Sequence, residues 1–317
     1  MIKLYDRLLN RCQTINQVNS VNIALANKLT VLELYELHQE FRLKFLRDVE
    51  VLHPNKIKLK LHGLREVEKI IDLTNKSGKK HQEPFIRRRV KKNIQMFSHF
   101  GLKKEKTLII AFAGNANRLM MPIPVFLQHI SADKYDILLL NDPSKNGYRN
   151  GLPSVSDDFE SLMVEINSLI DKSEYKSVIS LGTSAGGLPA IWTALYLQVD
   201  KGISIGGSGP SHPAWQQVRN NASEDLTNLF NQSSTSNILY ICGNDFERDV
   251  SSSRELSNII QIQTLTVCGT TKNMNIGHNP LMPILKKSML ASFFDVILDP
   301  GIIGYDNKLL GSSKLWI

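Results

Sequence analysis

Cysteine is scarce in this chain. Only three cysteines occur among 317 residues, at Cys12, Cys242 and Cys268. Such a small, odd number is unlike the disulfide framework of a small secreted protein. Their positions also lack the spacing that a structural zinc site requires. We therefore expect free thiols and no metal site.

Long hydrophobic runs are also lacking. No stretch approaches the roughly 20 apolar residues that span a bilayer. The first residues, MIKLYDRLLNRCQTINQ, mix charges into their apolar positions, unlike the uninterrupted apolar core of a signal peptide. Hydrophobic residues still make up 42% of the chain, which is enough for a buried core. We predict a globular, cytoplasmic protein with no transmembrane segment.

Acidic residues are under-represented in the first third of the chain. Residues 1–106 contain 23 Lys and Arg but 11 Asp and Glu, whereas residues 107–317 contain 15 and 19. The densest basic segment, IRRRVKK at 86–92, lacks the interleaved aromatics and reading helix of a nucleic-acid site. The pattern favours a solvated helix face and no specific nucleic-acid partner. Contact of the basic region with an acidic partner or surface is the alternative.

The first 84 residues are predicted to form a basic, mostly helical region. Apolar residues at helical spacing predict an amphipathic helix over 31–52. In KIKLKLHG (56–63), apolar residues alternate with lysine, which predicts a short edge strand. A second amphipathic helix is predicted over 64–76, a linker over 77–84 and a third helix over 85–100. We place the domain boundary between residues 1–84 and 85–317.

After residue 106, short apolar runs alternate with helix-length segments. Six runs are predicted to be buried strands: TLIIAFAG (107–114), YDILLLND (135–142), YKSVISLG (175–182), KGISIGG (201–207), NILYICG (237–243) and IQTLTVCG (262–269). Apolar strands separated by helices indicate a parallel sheet covered on both faces. The predicted fold class is α/β, with a doubly wound, mostly parallel sheet and a helical N-terminal extension.

The segment Gly182–Gly187 reads GTSAGG and has the pattern G-x-S-x-G. It directly follows a predicted strand and directly precedes a predicted helix, which is the setting of a nucleophile elbow. A serine in that strained turn points its hydroxyl away from the sheet, and the helix N-terminus favours a nearby oxyanion. Ser184 is therefore the predicted nucleophile.

A serine nucleophile needs a base and a carboxylate that orients it. His278 is the predicted base, because it follows the last predicted strand. The acid is expected after the preceding strand, where Asp245 lies two residues past Gly243. We prefer Asp245 and keep Asp249 as the alternative. The order Ser, Asp, His differs from that of chymotrypsin and subtilisin.

Two loops are predicted to border the reacting ester. Backbone N–H groups of Ala185 and Asn115 are the predicted oxyanion donors. Arg118 follows Asn115 and either pairs with an anionic substrate group or ties the loop to a carboxylate. Tyr148 and Arg149, in the long loop at 142–158, are candidate substrate contacts, and His212 is placed at the rim of the site.

Residues from about 100 to 295 resemble the α/β-hydrolase superfamily. The resemblance is carried by the elbow GTSAGG, the loop FAGNANRLMMP, the acid loop GNDFERD and the base in GHNP. It implies an eight-stranded core or a reduced version of it, and a covalent acyl-serine intermediate without a cofactor. No convincing pair of strands precedes residue 107 apart from KIKLKLHG, so we expect the first strands to be reduced.

The predicted function is that of a serine hydrolase of the esterase or thioesterase type, acting on a small-molecule or glycan-linked acyl substrate. One alternative is an acyltransferase that uses the same residues but passes the acyl group to a glycan or other hydroxyl. A second alternative is an inactive scaffold whose basic N-terminal region binds a partner. Fold alone does not separate these functions, because one fold hosts many chemistries.

Overall fold

In the computed structural model, residues 1–26, 28–76, 84–221, 237–268 and 278–301 are described. The chain begins with four helices, α1 (Ile2–Arg11), α2 (Ile15–Ala26), α3 (Val31–Asp48) and α4 (Pro54–Lys76). They share a hydrophobic core of their own, in which Tyr5 packs edge-on against Phe41. Most of the predicted linker at 77–84 lies outside the described residues, and the proposed domain boundary there stays a prediction.

The edge strand predicted at 56–63 is wrong, because this segment lies inside α4. Leu59, Val67 and Ile71 recur at multiples of four residues and are all buried in the helical core. That longer helical period outweighs the short alternation of apolar residues with lysine. The lysines are accommodated, since buried Lys60 pairs with Asp6 at 2.6 Å.

The prediction of a helix at 85–100 is also wrong. This segment forms the antiparallel strands β1 (Ile86–Lys91) and β2 (Ile94–Ser98). The basic cluster therefore lies on an outer strand of the sheet and not on a helix face. In that strand Arg87 pairs with Glu33 at 2.7 Å, and Lys91 pairs with Glu165. The two strands that the sequence analysis expected to be reduced are thus present.

All six predicted buried strands are found. They are β3 (Thr107–Phe112), β4 (Tyr135–Leu140), β5 (Ser177–Thr183), β6 (Lys201–Ile205), β7 (Ile238–Gly243) and β8 (Gln263–Val267). The sheet has eight strands in the order β1-β2-β4-β3-β5-β6-β7-β8. Pairing is antiparallel from β1 to β2 and from β2 to β4, and parallel elsewhere. The predicted mostly parallel α/β fold is confirmed.

Helices cover both faces of the sheet. In chain order they are α5 (Ile123–Gln128), α6 (Phe159–Leu169), α7 (Gly187–Tyr196), α8 (Pro213–Asn221), α9 (Glu247–Ser257), α10 (Leu281–Lys286) and α11 (Leu290–Ile297). Side chains of α5, α10 and α11 pack on one face, and side chains of α6, α7 and α9 pack on the other. Helices α3 and α4 pack against α5. None of the helices in the described ranges is both long enough and apolar enough to cross a membrane.

The parallel strands β3 to β8 all end at the same edge of the sheet. The segments that leave this edge contain Gly114 after β3, Ser184 after β5, Gly206 after β6 and, in the first turn of the helix that follows β7, Asp249. The carboxyl ends of parallel strands are where open α/β sheets bind ligands. The sequence-predicted site residues therefore gather at this edge.

Candidate active site

Ser184 lies in a strained turn between β5 and α7. Its φ is 53°, a left-handed conformation that costs energy for a non-glycine residue. A Cβ at Gly182 would collide with the carbonyl oxygen of Gly186, and a Cβ at Gly186 would collide with the carbonyl oxygen of Phe112. The G-x-S-x-G pattern thus follows from the close approach of three backbone segments around Ser184.

A continuous chain of hydrogen bonds joins a hydroxyl, an imidazole and a carboxylate. The Ser184 Oγ lies 2.8 Å from His278 Nε2, and His278 Nδ1 lies 2.9 Å from Asp249 Oδ2. Asp249 is buried, whereas the His278 side chain is 31% exposed. The Phe246 ring lies 5.6 Å from the imidazole, measured between ring centroids. The arrangement suits transfer of a proton from the hydroxyl to Nε2 while the carboxylate holds Nδ1.

The carboxylate bound to His278 is Asp249 and not Asp245, the acid preferred from the sequence. Asp245 lies in the exposed turn after β7. Asp249 lies in the first turn of α9, where the helix carries its side chain back over the strand ends. The sequence favoured Asp245 because it lies two residues past Gly243, but α9 begins at Glu247 and brings the Asp249 carboxylate to the imidazole.

The loop after β3 packs directly against the serine. A Cβ at Gly114 would lie 2.8 Å from the carbonyl oxygen of Thr183 and 3.2 Å from the Cβ of Ser184. A tight turn follows, in which Asn117 N–H donates to the Gly114 carbonyl at 2.8 Å. Two cavities reach Ser184; Asn115 lines both of them, and Ala185 lines one. The oxyanion roles predicted for Asn115 and Ala185 stay a proposal that this placement supports.

Arg118 lies at a cavity of about 270 Å³ that Ser184, Met120 and Asn279 also line. Its carbonyl accepts hydrogen bonds from Gly114 N–H at 3.1 Å and Thr183 Oγ1 at 3.3 Å. Within the described ranges its guanidinium forms no ion pair, so the predicted tie to a carboxylate is not found there. A contact of Arg118 with an anionic substrate group stays a prediction.

Tyr148 is not placed as a substrate contact. Its side chain is fully buried and packs edge-on against Phe112. Its hydroxyl lies 2.9 Å from the Ala113 carbonyl oxygen and 2.8 Å from the Leu140 carbonyl oxygen. Tyr148 therefore anchors the loop after β4 to the ends of β3 and β4, and burial holds its pKa well above the ordinary tyrosine value.

Tyr148→Phe is expected to lower the free energy of unfolding by about 1–2 kcal/mol, because the Ala113 carbonyl loses its buried hydrogen bond. We expect KM for ester substrates to stay unchanged, since the hydroxyl does not reach the cavity. Denaturant unfolding and ester-hydrolysis kinetics measure the two effects. A several-fold rise in KM with unchanged stability would show instead that Tyr148 binds substrate.

Arg149 and His212 lie beside the candidate site, and their predicted substrate contacts stay a prediction. Both line a cavity of about 380 Å³ beside Ser184. Lys145 and Arg248 also line it, but the sequence analysis did not single them out. The two residues line one cavity because the segments that follow β4 and β7 lie close together in the fold. The sole sequence signal was that both lie in segments following predicted strands.

A further residue that the sequence analysis missed is Asn279. Its Nδ2 donates to the Met120 carbonyl at 2.8 Å, and its Oδ1 accepts from Leu281 N–H at 3.2 Å. Asn279 thereby joins the loop that carries His278 to the loop that carries Asn115. Its position directly after the predicted base was the available signal. In the described part of the chain, no group of three or more His, Cys, Asp or Glu side chains is placed to hold a metal ion.

No protein-family model and no curated protein sequence matches this chain. Among solved structures it is similar to a predicted CIB-like hydrolase from Thermoplasma acidophilum, with 17% identity, 67% of this chain and 97% of that chain covered, and a TM-score of 0.41. It is also similar to the capsule O-acetyltransferase of Neisseria meningitidis serogroup A, with 17% identity, coverage of 70% and 97%, and a TM-score of 0.42. A third similar structure is the Pyrococcus horikoshii acylaminoacyl peptidase, with 14% identity, coverage of 75% and 45%, and a TM-score of 0.46.

Because these similarities are low, the fold is assigned from the sheet and the serine turn of this chain. The sheet has eight strands, mostly parallel, with helices on both faces. Its fifth strand leads through a strained Gly-x-Ser-x-Gly turn directly into a helix, which is the defining turn of the superfamily that the sequence resembles. This chain has the α/β-hydrolase fold.

Proposed function

We propose that this protein is a serine hydrolase that cleaves ester bonds through an acyl-serine intermediate. The observation that carries the proposal is the hydrogen-bonded chain from Ser184 through His278 to Asp249, with distances of 2.8 and 2.9 Å. Nucleophile, base and orienting acid within hydrogen-bond reach are the signature of an activated serine.

In the proposed mechanism, Ser184 Oγ attacks the acyl carbonyl carbon while His278 Nε2 takes the hydroxyl proton. The negative charge that develops on the carbonyl oxygen is stabilised by the N–H groups of Asn115 and Ala185. Asp249 accepts a hydrogen bond from His278 Nδ1–H and stabilises the imidazolium. His278 then gives its proton to the leaving alcohol, and a water that it deprotonates releases the acyl group and restores Ser184.

The surroundings of Ser184 support hydrolysis of a small, polar ester. Cavities of about 380 and 270 Å³ both reach Ser184 and His278, so the acyl part and the alcohol part of an ester can each occupy a cavity next to the nucleophile. Among the described residues that line the larger cavity, only Ala185 and Leu188 contribute apolar side chains. Water reaches the imidazole, because His278 is partly exposed. Acyl transfer to a hydroxyl would use the same residues and differs only in the molecule that attacks the acyl-enzyme.

A fluorophosphonate probe tests the proposal directly. We expect the wild-type protein to be labelled, with the adduct located on Ser184 by mass spectrometry of the digested protein. Ser184→Ala is the control and is expected to show no labelling. Short acyl esters, each assayed with and without a sugar acceptor, then separate hydrolysis from transfer. Absence of labelling in protein shown to be folded by circular dichroism would refute the proposed function and leave the inactive scaffold.

A further inference from the structure

The larger cavity beside Ser184 is strongly basic. Lys145 and Arg149 reach it from the loop after β4, and Arg248 reaches it from the start of α9. Asp249 is the acidic residue among its lining residues, and its carboxylate is already hydrogen bonded to His278. Among the described residues that line the cavity, three positive charges thus face one carboxylate, and that carboxylate is already hydrogen bonded to His278.

The positive charge of the cavity is opposite in sign to the net charge of residues 107–317. Residues 107–317 contain 15 basic and 19 acidic side chains, so a random surface there would be slightly negative. Within the described ranges, neither Arg149 nor Arg248 forms an ion pair, although Arg254 on the same helix as Arg248 pairs with Glu247 at 3.6 Å. Within that part of the chain, the two arginines that line the cavity are therefore without an acidic partner, whereas Arg254, which does not line it, is paired.

Arg149 is held in a fixed orientation by neutral acceptors. Its Nε donates to the Asn146 carbonyl, and its Nη1 donates to Gln217 Oε1 at 2.6 Å. These two bonds orient the planar guanidinium without neutralising it, and its remaining N–H groups stay available to bind a ligand. The loop itself is rigid, since the buried Asp142 carboxylate accepts from the backbone N–H groups of Asn146 and Tyr148 at 2.9 and 3.1 Å.

The positive field extends across the cavity. Burial lowers the pKa of His212, and the charges of Arg248 and Arg149 lower it further. These two guanidinium groups therefore act on the same region of space, at the wall of the cavity that His212 forms. An anion bound there would interact with charges from two loops at once.

We propose that the cavity lined by Lys145, Arg149 and Arg248 binds an anionic group, a carboxylate or a phosphate, that the ester substrate carries. The inference rests on the proposed hydrolase function and adds the substrate class. Planar guanidinium groups match the geometry of both carboxylate and phosphate oxygens. Because the cavity opens at Ser184, the bound anion would position the ester carbonyl beside Oγ and raise kcat/KM for charged over neutral esters.

Matched ester pairs test the proposal and distinguish the two sources of the anion. On the acyl side, p-nitrophenyl hemiglutarate is compared with p-nitrophenyl pentanoate, which has the same leaving group and a similar length. On the alcohol side, 1-acetylglycerol 3-phosphate is compared with 1-acetylglycerol by acetate release. We expect kcat/KM to favour the charged member of at least one pair by about tenfold or more, and the preference to fall as salt screens the charges.

Single substitutions locate the site. Arg149→Gln is expected to reduce the charged-to-neutral ratio of kcat/KM about tenfold. Arg248→Gln is expected to reduce this ratio about threefold, because Arg248 is more exposed and its charge is more strongly screened by solvent. Arg149→Lys keeps the charge and should retain part of the preference. Arg254→Gln is the matched control, because it removes a positive charge from the same helix outside the cavity, and the ratio should not change.

Fluorophosphonate labelling, measured on every variant, separates the two proposals. A labelled wild type that hydrolyses both members of both pairs equally, with ratios unchanged in Arg149→Gln and Arg248→Gln, would overturn the anion site and leave the hydrolase intact. If Arg254→Gln abolishes the preference for charged esters as fully as Arg149→Gln does, the anion site would also be overturned. The preference would then come from the overall charge of the protein. A folded wild type that neither labels nor hydrolyses any ester would overturn both proposals.

Discussion

Asp249→Asn is expected to lower kcat/KM for ester substrates by about 10⁴-fold, whereas Asp245→Asn should leave it unchanged. The magnitude is that of the equivalent change in a well-studied serine protease. An asparagine at position 249 would donate an N–H toward Nδ1 and place the imidazole proton on Nε2. In that tautomer Nε2 cannot accept the Ser184 proton.

The two variants form a matched pair, because each replaces one carboxylate by its amide on the same side of the sheet. Initial-rate kinetics on one ester measure the effect, and thermal unfolding of both variants verifies that the fold is intact. Asp249 is buried and bound to His278, whereas Asp245 is exposed. Equal losses in the two variants, or a larger loss for Asp245→Asn, would contradict the assignment of Asp249 as the acid.

Ser184→Ala and His278→Ala are each expected to lower kcat by about 10⁶-fold, and the double variant should be no slower than either single variant. Residues that act as one unit show this non-additivity, since removing either one stops the same step. Ser184 and His278 are joined by one hydrogen bond of 2.8 Å. Without the base the hydroxyl is a poor nucleophile, and without the hydroxyl the base has no proton to take.

The measurement is kcat on one activated ester for the wild type, the two single variants and the double variant. Circular dichroism and the thermal midpoint confirm folding in each case. A double variant slower than the single variants by the product of their losses would show that the two side chains act independently. Substantial activity in His278→Ala would show that another group serves as the base.

The buried strands and the elbow could be predicted because their signals are local. The runs that form β3 to β7 are buried along their whole length, so they appear as continuous apolar segments between helices. The elbow is short enough that strand, turn and helix are all visible in one segment around Ser184. His278 could be located because it follows the last strand of the predicted order.

Other assignments failed where a short pattern was compatible with two structures. The basic segment at 86–92 has few apolar residues to reveal its period, and it becomes a strand only because β2 pairs it to the sheet. The alternation of lysine with apolar residues at 56–63 is typical of a strand. The segment is nevertheless helical, because Leu59 is buried against the other N-terminal helices.

The amino-acid sequence by itself determined the parallel sheet and the positions of Ser184 and His278, because burial and turn geometry leave local traces along the chain. Only the tertiary structure decided that Asp249 holds the imidazole, that Tyr148 is buried, and that Lys145, Arg149 and Arg248 share one cavity. These outcomes depend on distances between loops that are far apart in sequence. Such distances are set by how helices pack on the sheet, and no local pattern records them.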